Sequence, residues 1–524
     1  MNSRTALILF LFSCLYITQS FAGNLTITPT TTLSAQTGNN TSAANTFAGL
    51  PNGDPKPGNV SKLPIRDLVP GYNGKILAHY MPWWGNTGHI NIGYSTHDPA
   101  QAERTVRDMI SRGYDGVMVT EANSNSWDQT GALTMFAAVV NHPGFLFAIS
   151  QNKGAFSGTT DPTSRLIANM TFSNQHYFQS PNYLRINGHP VVFIFDNISG
   201  LDYAKAKANS PGSPIFIFRN SSGFTPSYSN GAFSWIGLPS STDPTGLLSL
   251  DSFYKTSNSF PTKAAVGSFW KGFDDSVASW TQHRLAPQKC GTTWLNSLAR
   301  VQNFLSNPPE VLKVATWNDY EEGTEVETGI DNCATVHASV SNGILSFGPS
   351  FSSSSGTEAT VDHYQVYISQ DGQNLMKLTE LTTGSRSLNL SSYSLAAGTY
   401  FIYVQMVAKP GILNRMSPAV TYTVGTGTSP TAPSTAATVT LSWPTDNYPN
   451  AAQWIEVRAS AQSTAPITAM AIQVDGKTAL TVNNVSSLDK WVFGSVGSWH
   501  TIQALAFTNG VWVRSATIRA FVSH

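Results

Sequence analysis

The sequence predicts a (β/α)8 barrel followed by two all-β sandwiches, and three observations carry that prediction. Across residues 63–335, short runs rich in Val, Ile and Phe alternate with segments of helical period, the pattern of βα units building a parallel sheet. Eight such runs fit into about 270 residues, the usual size of a (β/α)8 barrel. Beyond Cys333 the helical period disappears, and strands of period two separated by Asp-Gly and Asn-Gly turns take over. A doubly wound open sheet is the competing arrangement. No Gly-x-Gly-x-x-Gly follows any apolar run, which weakens a nucleotide-binding version of it.

Taken in order, the chain opens with Arg4 before an apolar stretch over 6–17, then Ser20-Phe21-Ala22, small residues where a signal peptidase cuts. Residues 1–22 read as a signal peptide, too short for a span of about 20 apolar residues. A lipoprotein box at Leu11-Phe12-Ser13-Cys14 competes, against the bulk of Phe12. Residues 23–62, rich in Ser, Thr, Asn and Pro, read as a flexible leader. The eight expected barrel strands are 75–80, 116–121, 145–150, 190–195, 214–218, 232–235, 263–268 and 311–317. Helices are marked most clearly over 99–112, 133–140 and 294–305, and poorly after the fifth and sixth strands. Residues 336–424 resemble a fibronectin type III module, with the alternating run Tyr364-Gln365-Val366-Tyr367-Ile368 and a turn at Gln370-Asp371-Gly372-Gln373. Residues 425–438 form a Gly/Ser/Thr/Pro/Ala linker. Residues 439–524 resemble an immunoglobulin-like module, with turns at Asp475-Gly476 and Asn509-Gly510.

Composition narrows the function. The 524 residues carry 30 Lys+Arg against 30 Asp+Glu, and charged residues make up 11%, where soluble proteins average about 25%. A formally neutral chain has no footprint for nucleic acid and no polybasic run for an anionic membrane. Its 13 Trp, 18 Tyr and 27 Phe suit neutral polyhydroxylated ligands, whose C–H faces stack on rings. Once the signal is removed, Cys290 and Cys333 are the remaining cysteines, and an exported chain favours a disulfide between them over two buried thiols. Neither sits in the context of a catalytic nucleophile. The loop of about 42 residues so closed would add about 4 kcal/mol.

Barrel enzymes work at the carboxyl ends of their strands, so the residues following each run are the informative ones. They are His79-Tyr80-Met81-Pro82-Trp83-Trp84, Glu121-Ala122-Asn123, Gln151-Asn152-Lys153, Asp196-Asn197, Arg219-Asn220, Trp235, Phe269-Trp270-Lys271 and Trp317-Asn318-Asp319-Tyr320-Glu321-Glu322-Gly323-Thr324-Glu325. Carboxylates, amides and aromatics converge there without metal-ligand spacing and without a Ser/His/Asp context. Glycoside hydrolysis needs such a set: one carboxylic acid to protonate the leaving oxygen, a second to activate water or attack, and rings to hold the sugars. Individual members have plainer uses, His79 as a hydrogen-bonded structural histidine and Arg219 as a partner for Asp196. The last run is the densest, with Asp319, Glu321, Glu322, Glu325 and Glu327 placing five acids in nine positions. Crowded carboxylates raise one another's pKa, and a carboxyl kept protonated near neutral pH is what a general acid requires. A calcium site and a solvated acidic turn are the competing uses of that cluster.

The stretch Ala315-Thr316-Trp317-Asn318-Asp319-Tyr320-Glu321-Glu322 resembles the Trp-Asn-Asp-Tyr-Gly-Glu motif of the α-1,3-glucanases (mutanases), glycoside hydrolase family 71. It is also similar to the Trp-Asn-Glu-Trp-His-Glu-Gly motif of the related endo-α-mannosidases and endo-α-mannanases. Ile76-Leu77-Ala78-His79-Tyr80-Met81, with the segment from Glu103 to Gly116 containing Arg112-Gly113-Tyr114-Asp115, is similar to the mutanase barrel opening. The likeness spans about residues 70–330, roughly half the chain. Glu321 stands where mutanases have Gly, Glu322-Gly323-Thr324 follows the mannosidase side, and Trp83-Trp84 replaces smaller residues.

The resemblance implies that Asp319 and Glu322 are the catalytic pair. On the mutanase pattern, Glu322 is the general acid and Asp319 the base of an inverting hydrolysis. On the mannosidase pattern, the residue at Asp319 instead assists attack by the substrate's own 2-hydroxyl, with retention. The expectation is therefore a secreted (extracellular or periplasmic) monomer acting on an internal α-linkage of a polysaccharide, most of all α-1,3-glucan. Neither cofactor nor metal is expected, nor nucleic acid, nor membrane after signal removal. Tyr80, Trp83, Trp84 and Trp270 are the expected stacking residues. His79, Glu121, Gln151, Asp196 and Arg219 are the expected hydroxyl-binding groups, with Trp317 and Asn318 flanking the acids. A carbohydrate-binding or adhesion protein without catalysis is the alternative of a different class.

Overall fold

Eight parallel strands close on themselves in the order of a (β/α)8 barrel. The computed structural model describes residues 31–32, 59–121, 126–304, 308–372, 374–393, 395–425, 437–451, 453–508 and 511–523. The expected signal peptide, most of the leader, Ala122-Asn123, linker positions 426–436 and the Asn509-Gly510 turn lie outside the described residues. The barrel strands are β1 (Lys75–Tyr80), β2 (Gly116–Glu121), β3 (Leu146–Gln151), β4 (His189–Ile194), β5 (Ile215–Arg219), β6 (Gly231–Phe233), β7 (Ala264–Phe269) and β8 (Val311–Val314). Each pairs in parallel with its neighbours, and β8 pairs β1 to close the ring.

Strand parity sorts the side chains into two layers. Leu77, Met118, Ala148, Val191, Phe193, Ile217, Phe233, Val266 and Val311 fill the interior. Ile76, Ala78, Val117, Val119, Phe147, Ile149, Val192, Phe216 and Leu312 face outward and pack beneath the helices. Gly231 opens β6 because a Cβ there would lie 2.0 Å from the Ala264 carbonyl oxygen.

The described residues contain six α-helices around the barrel: α1 (Pro99–Ser111), α2 (Trp127–Val139), α3 (Pro162–His176), α4 (Tyr203–Ala208), α5 (Leu248–Ser257) and α6 (Thr292–Gln302). The first four start at capping side chains, Asp98, Ser126, Asp161 and Asp202, which accept backbone N–H groups of the first turn. Helix α1 buries Ala102, Thr105, Val106 and Met109, one stripe at helical spacing, and stops at Gly113 with φ +80°. A 3-10 turn, Ser221–Phe224, takes the place of a helix after β5. Helix α5 has no side-chain cap. No helix among the described residues is long and apolar enough to cross a membrane.

Two sandwiches follow. Strands β9 (Ala334–Ser341), β10 (Ile344–Phe351), β11 (Val361–Ser369), β12 (Asn374–Thr382), β13 (Ser387–Asn389), β14 (Gly398–Ala408) and β15 (Val420–Val424) enclose one core, with Leu345, Val366, Tyr400 and Val404 buried in it. Strands β16 (Thr438–Trp443), β17 (Tyr448–Ala451), β18 (Trp454–Gln462), β19 (Ile467–Val474), β20 (Lys477–Asn483), β21 (Ser487–Phe493), β22 (Ser498–Thr508), β23 (Val511–Arg514) and β24 (Ile518–Val522) enclose another around Val457, Met470, Ile472 and Ile502. Asp475 and Gly476 both have positive φ in the β19–β20 turn, as an Asp-Gly hairpin requires.

The first sandwich is fastened to the barrel. Cys290, just before α6, is disulfide-bonded to Cys333, just before β9. Trp294 Nε1 donates to the Pro410 carbonyl at 2.9 Å, and Leu413 N donates to that of Ile330 at 2.9 Å. The end of the expected leader joins the same seam: Val60 is buried, and Ser61 N donates to the Ile412 carbonyl at 2.9 Å.

Candidate active site

The acid-rich segment after β8 folds as a tight loop over the barrel mouth, held by its own backbone. Trp317 N donates to the His79 carbonyl at 2.7 Å, and Val326 N and Glu327 N both donate to the Trp317 carbonyl at 2.9 Å. Asn318 works as a clamp, its Oδ1 accepting from Met81 N at 2.8 Å and its Nδ2 donating to the Met81 carbonyl at 3.1 Å. Thr316 Oγ1 accepts from Asp319 N at 2.9 Å. From α1, the buried Arg112 reaches under the loop, donating to the carbonyls of Val326 at 2.8 Å and Glu327 at 2.6 Å, with its guanidinium 4.8 Å from the Trp317 ring.

Three of the five acids are engaged by protein partners. Glu327 accepts from the hydroxyls of Tyr94 and Tyr320, each at 2.8 Å. Glu325 pairs with the buried Lys271 ammonium at 2.6 Å. Glu321 meets His89 Nδ1 at 2.9 Å and accepts from Ile90 N at 3.2 Å, tying down the loop after β1. Asp319 and Glu322 remain. Asp319 Oδ1 accepts from Glu322 N at 3.0 Å, fixing the two acids relative to each other. The Glu322 carboxyl makes no hydrogen bond or ion pair among the described residues, and Glu322 alone of the five acids is partly exposed.

Burial pushes the Glu322 carboxyl up to about 7; Arg284 and Arg219 pull against the shift, while Asp275 and Glu321 add to it. Burial also drives Asp319 well above the usual carboxylate range, and the charge of Glu322 drives it further. The two carboxyls therefore resist ionising together, and proton exchange with solvent is easiest at Glu322, the partly exposed one.

The loop after β7 completes this side of the mouth. Asp274 N donates to the Glu322 carbonyl at 2.7 Å, and the buried Asp275 holds Arg284 through Nε at 2.8 Å. Opposite, Arg219 pairs with Asp196 at 3.5 Å and lies 4.3 Å over the Phe195 ring. Asp196 also accepts from Lys153 N at 2.8 Å.

Parity corrects several expected site residues. Tyr80, Glu121 and Gln151 occupy outward positions of their strands. Tyr80 is buried against the helical layer. Glu121 accepts from the Tyr177 hydroxyl at 2.9 Å and from Gln151 Nε2 at 3.3 Å, and Gln151 Oε1 accepts from Asn169 at 2.7 Å. They form a polar network behind the barrel wall rather than a grip on a ligand. Trp84, Trp270 and Trp317 are fully buried and present no free ring face. Trp270 Nε1 donates to the Thr245 carbonyl at 3.2 Å, and Trp84 packs edge-on against Tyr320. Asn318, also buried, is used up on Met81 and Tyr94. Of the four expected stacking residues only Trp83 keeps exposed surface, with one face stacked on His89 at 5.3 Å.

His79 does face inward, but it is buried and bonded to Thr120 Oγ1 at 2.9 Å. Burial pushes its imidazole well below the usual range, with Lys313 adding to the shift, so it is neutral and ill suited to donate a proton. Counting in twos from the interior residues would have found its neighbours Thr120, Phe195 and Lys313 beside Trp235, already marked by its strand end. Trp235 keeps exposed surface, packs edge-on to Phe195 at 4.7 Å, and lies 4.2 Å from the Lys313 ammonium. Nothing in the sequence marks Arg284 and Asp275, which arrive on a loop without periodicity. No group of three or more His, Cys, Asp or Glu side chains among the described residues is arranged to hold a metal ion.

No protein-family model matches the chain, and no curated protein does. Among solved structures, the GH99 endo-alpha-mannosidase from Bacteroides thetaiotaomicron is similar at 16% identity over 49% of this chain and 88% of its own, with a TM-score of 0.41. A modular endo-beta-1,4-mannanase from Cellulomonas fimi is similar at 10% identity over 89% of this chain and 98% of its own, TM-score 0.29. Fibronectin(III)-like modules of Clostridium thermocellum CbhA align at 18% identity with 16% of this chain and 94% of their own, TM-score 0.15. At such values the likeness says nothing of reaction or substrate, and the barrel stands on its own strand order.

Proposed function

We propose that the chain is a secreted glycoside hydrolase that cleaves α-linkages within a polysaccharide, with Asp319 and Glu322 as its catalytic pair. The observation that carries this reading is the pairing of the five acids: three are held by Tyr, Lys and His partners, and the two left over are those three positions apart. Glu322, partly exposed and protonated up to about pH 7, is the general acid for the departing glycosidic oxygen. On this reading the pair holds one proton, carried by Glu322, and Asp319, anchored on Glu322 N, is the ionised partner that takes the proton of the attacking group. Trp83, Trp235 and Phe195 offer partly exposed rings around the mouth, and Arg219 with Asp196 offers hydroxyl-binding groups.

The favoured substrate is α-1,3-glucan, from the resemblance of Trp317-Asn318-Asp319-Tyr320 to the mutanase motif. In that case attack is by water and the product is inverted. The Glu322-Gly323-Thr324 run favours a second reading, an endo-α-mannanase with retention. Incubating the protein with α-1,3-glucan and with α-mannan, and following the first-formed anomer by proton NMR, separates them. Inverted product from the glucan supports the first reading and retained product from the mannan the second. A folded protein that releases no reducing ends from either polymer would refute both.

A further inference from the structure

The three-stranded sheet β16-β18-β21 of the second sandwich turns one face to its core and the other to solvent. Ile455, Val457 and Ala459 of β18, with Leu488 and Val492 of β21, point inward and are buried. The alternate positions form cross-strand pairs on the outer face: Trp454 with Phe493, Glu456 with Trp491, Arg458 with Asp489, and Ser460 with Ser487. Trp454 is 56% exposed, Trp491 58% and Phe493 53%. Rings of that size are seldom left in water without a ligand, because each forfeits about 1.5–3 kcal/mol of burial.

We infer that this outer face is a second carbohydrate site, a platform that binds a neutral polysaccharide chain across Trp454, Phe493 and Trp491. Three features choose that occupant. Trp491 and Phe493 sit two residues apart on one strand, about 7 Å, while Trp454 packs edge-on to Phe493 with ring centroids 5.6 Å apart, so the rings cover a surface that can contact successive sugars. The charges on the face satisfy each other, Arg458 meeting Glu456 at 2.7 Å and Asp489 at 3.6 Å. With two acids around one base the face has no excess positive charge, so it has nothing to offer a nucleic acid or an acidic peptide and stays open to an uncharged ligand. Beyond the charges, Ser460, Ser487 and Thr440 leave exposed hydroxyls on the same face, which sugar hydroxyls satisfy and an apolar partner would strand. Held by the linker, such a platform would keep the barrel near an insoluble polymer and raise its effective concentration there.

The inference rests on the proposed function for the identity of the polymer alone, so the test reads binding in a background that needs no catalysis. Full-length Glu322→Gln protein is mixed with insoluble α-1,3-glucan, α-mannan and cellulose, and depletion isotherms are compared with those of the same chain carrying Trp454→Ala and Trp491→Ala. Trp499→Ala is the control, since Trp499 is 51% exposed on β22 of the opposite sheet. The expected result is at least a tenfold loss of affinity for one of the polymers in the double variant and none in the control. Otherwise wild-type chains carrying the same two substitutions should cleave soluble oligosaccharides at the unaltered rate. Superimposable isotherms, equal loss in the Trp499→Ala control, or absence of binding to every polymer overturns the platform. Failure of hydrolysis with the isotherms still separated would overturn the proposed reaction and leave the platform standing.

Discussion

Glu121 and Glu322 are both carboxyls at the carboxyl ends of barrel strands, and one side chain direction separates their uses. Glu121 faces outward into a closed network, and burial pushes its carboxyl up to about 8 against the pull of Tyr177. Because its folded pKa lies above the ordinary 4.5, its contribution to stability is complete below about pH 4.5 and is lost as pH rises through 8. The loss is about 1.4 kcal/mol per pH unit over which only the folded state holds the proton. Glu121→Gln, neutral throughout, should show a flatter dependence of denaturant midpoint on pH between 5 and 8; parallel curves would contradict the assignment. Glu322 instead meets solvent. If it is the acid, polymer cleavage should fall as pH rises through about 7, since the deprotonated carboxylate has no proton to give. The descending limb of the pH–rate profile checks this and should disappear in Glu322→Gln, together with about 10²–10⁴-fold of the rate.

At the scale of elements, the acid loop depends on what reaches it from elsewhere. Arg112 supports two of its carbonyls; Arg112→Met would strand that of Glu327, while that of Val326 keeps Gly329 N as a donor, at a cost of about 1–3 kcal/mol. The expected outcome is a lower thermal midpoint and a fall in kcat with little change in the pH profile; an unchanged midpoint would show that the loop holds itself. The same scale explains what could be read in advance. Eight strands were legible because buried parallel strands are short apolar runs, and α1 was legible because Val106 and Met109 recur at helical spacing. The 3-10 turn after β5 and the loop bearing Asp275 and Arg284 have no period to read. The expected site residues included Tyr80, Glu121 and Gln151 because proximity to a strand end was weighed without parity, and a slip of one position moves a side chain from the mouth to the wall. In the sequence Asp319 and Glu322 were singled out among the five acids by the family resemblance alone; the physical reason emerges only when the partners of Glu321, Glu325 and Glu327 are visible.

For the whole molecule, the seam between barrel and first sandwich is part of the barrel's own core, since Ala408 and Ile412 belong to the same buried cluster as Trp294 and Ile330. The Cys290–Cys333 disulfide closes that seam covalently. Replacing both cysteines by alanine should lower stability by about 4 kcal/mol, read as a shift in denaturant midpoint, and an equal midpoint would show that the noncovalent seam suffices. The neutrality of the chain also takes on a location: Glu321, Glu325 and Glu327 each meet a partner, and the unpaired acid faces the mouth. The central claim, that Asp319 and Glu322 divide the work of one bond cleavage, is tested most directly by comparing polymer with a glycosyl fluoride, whose leaving group needs no proton. Glu322→Gln should lose about 10²–10⁴-fold on polymer but keep most of its rate on the fluoride, while Asp319→Asn should lose both. Equal losses of Glu322→Gln on the two substrates, or wild-type rates for either variant on polymer, would contradict it.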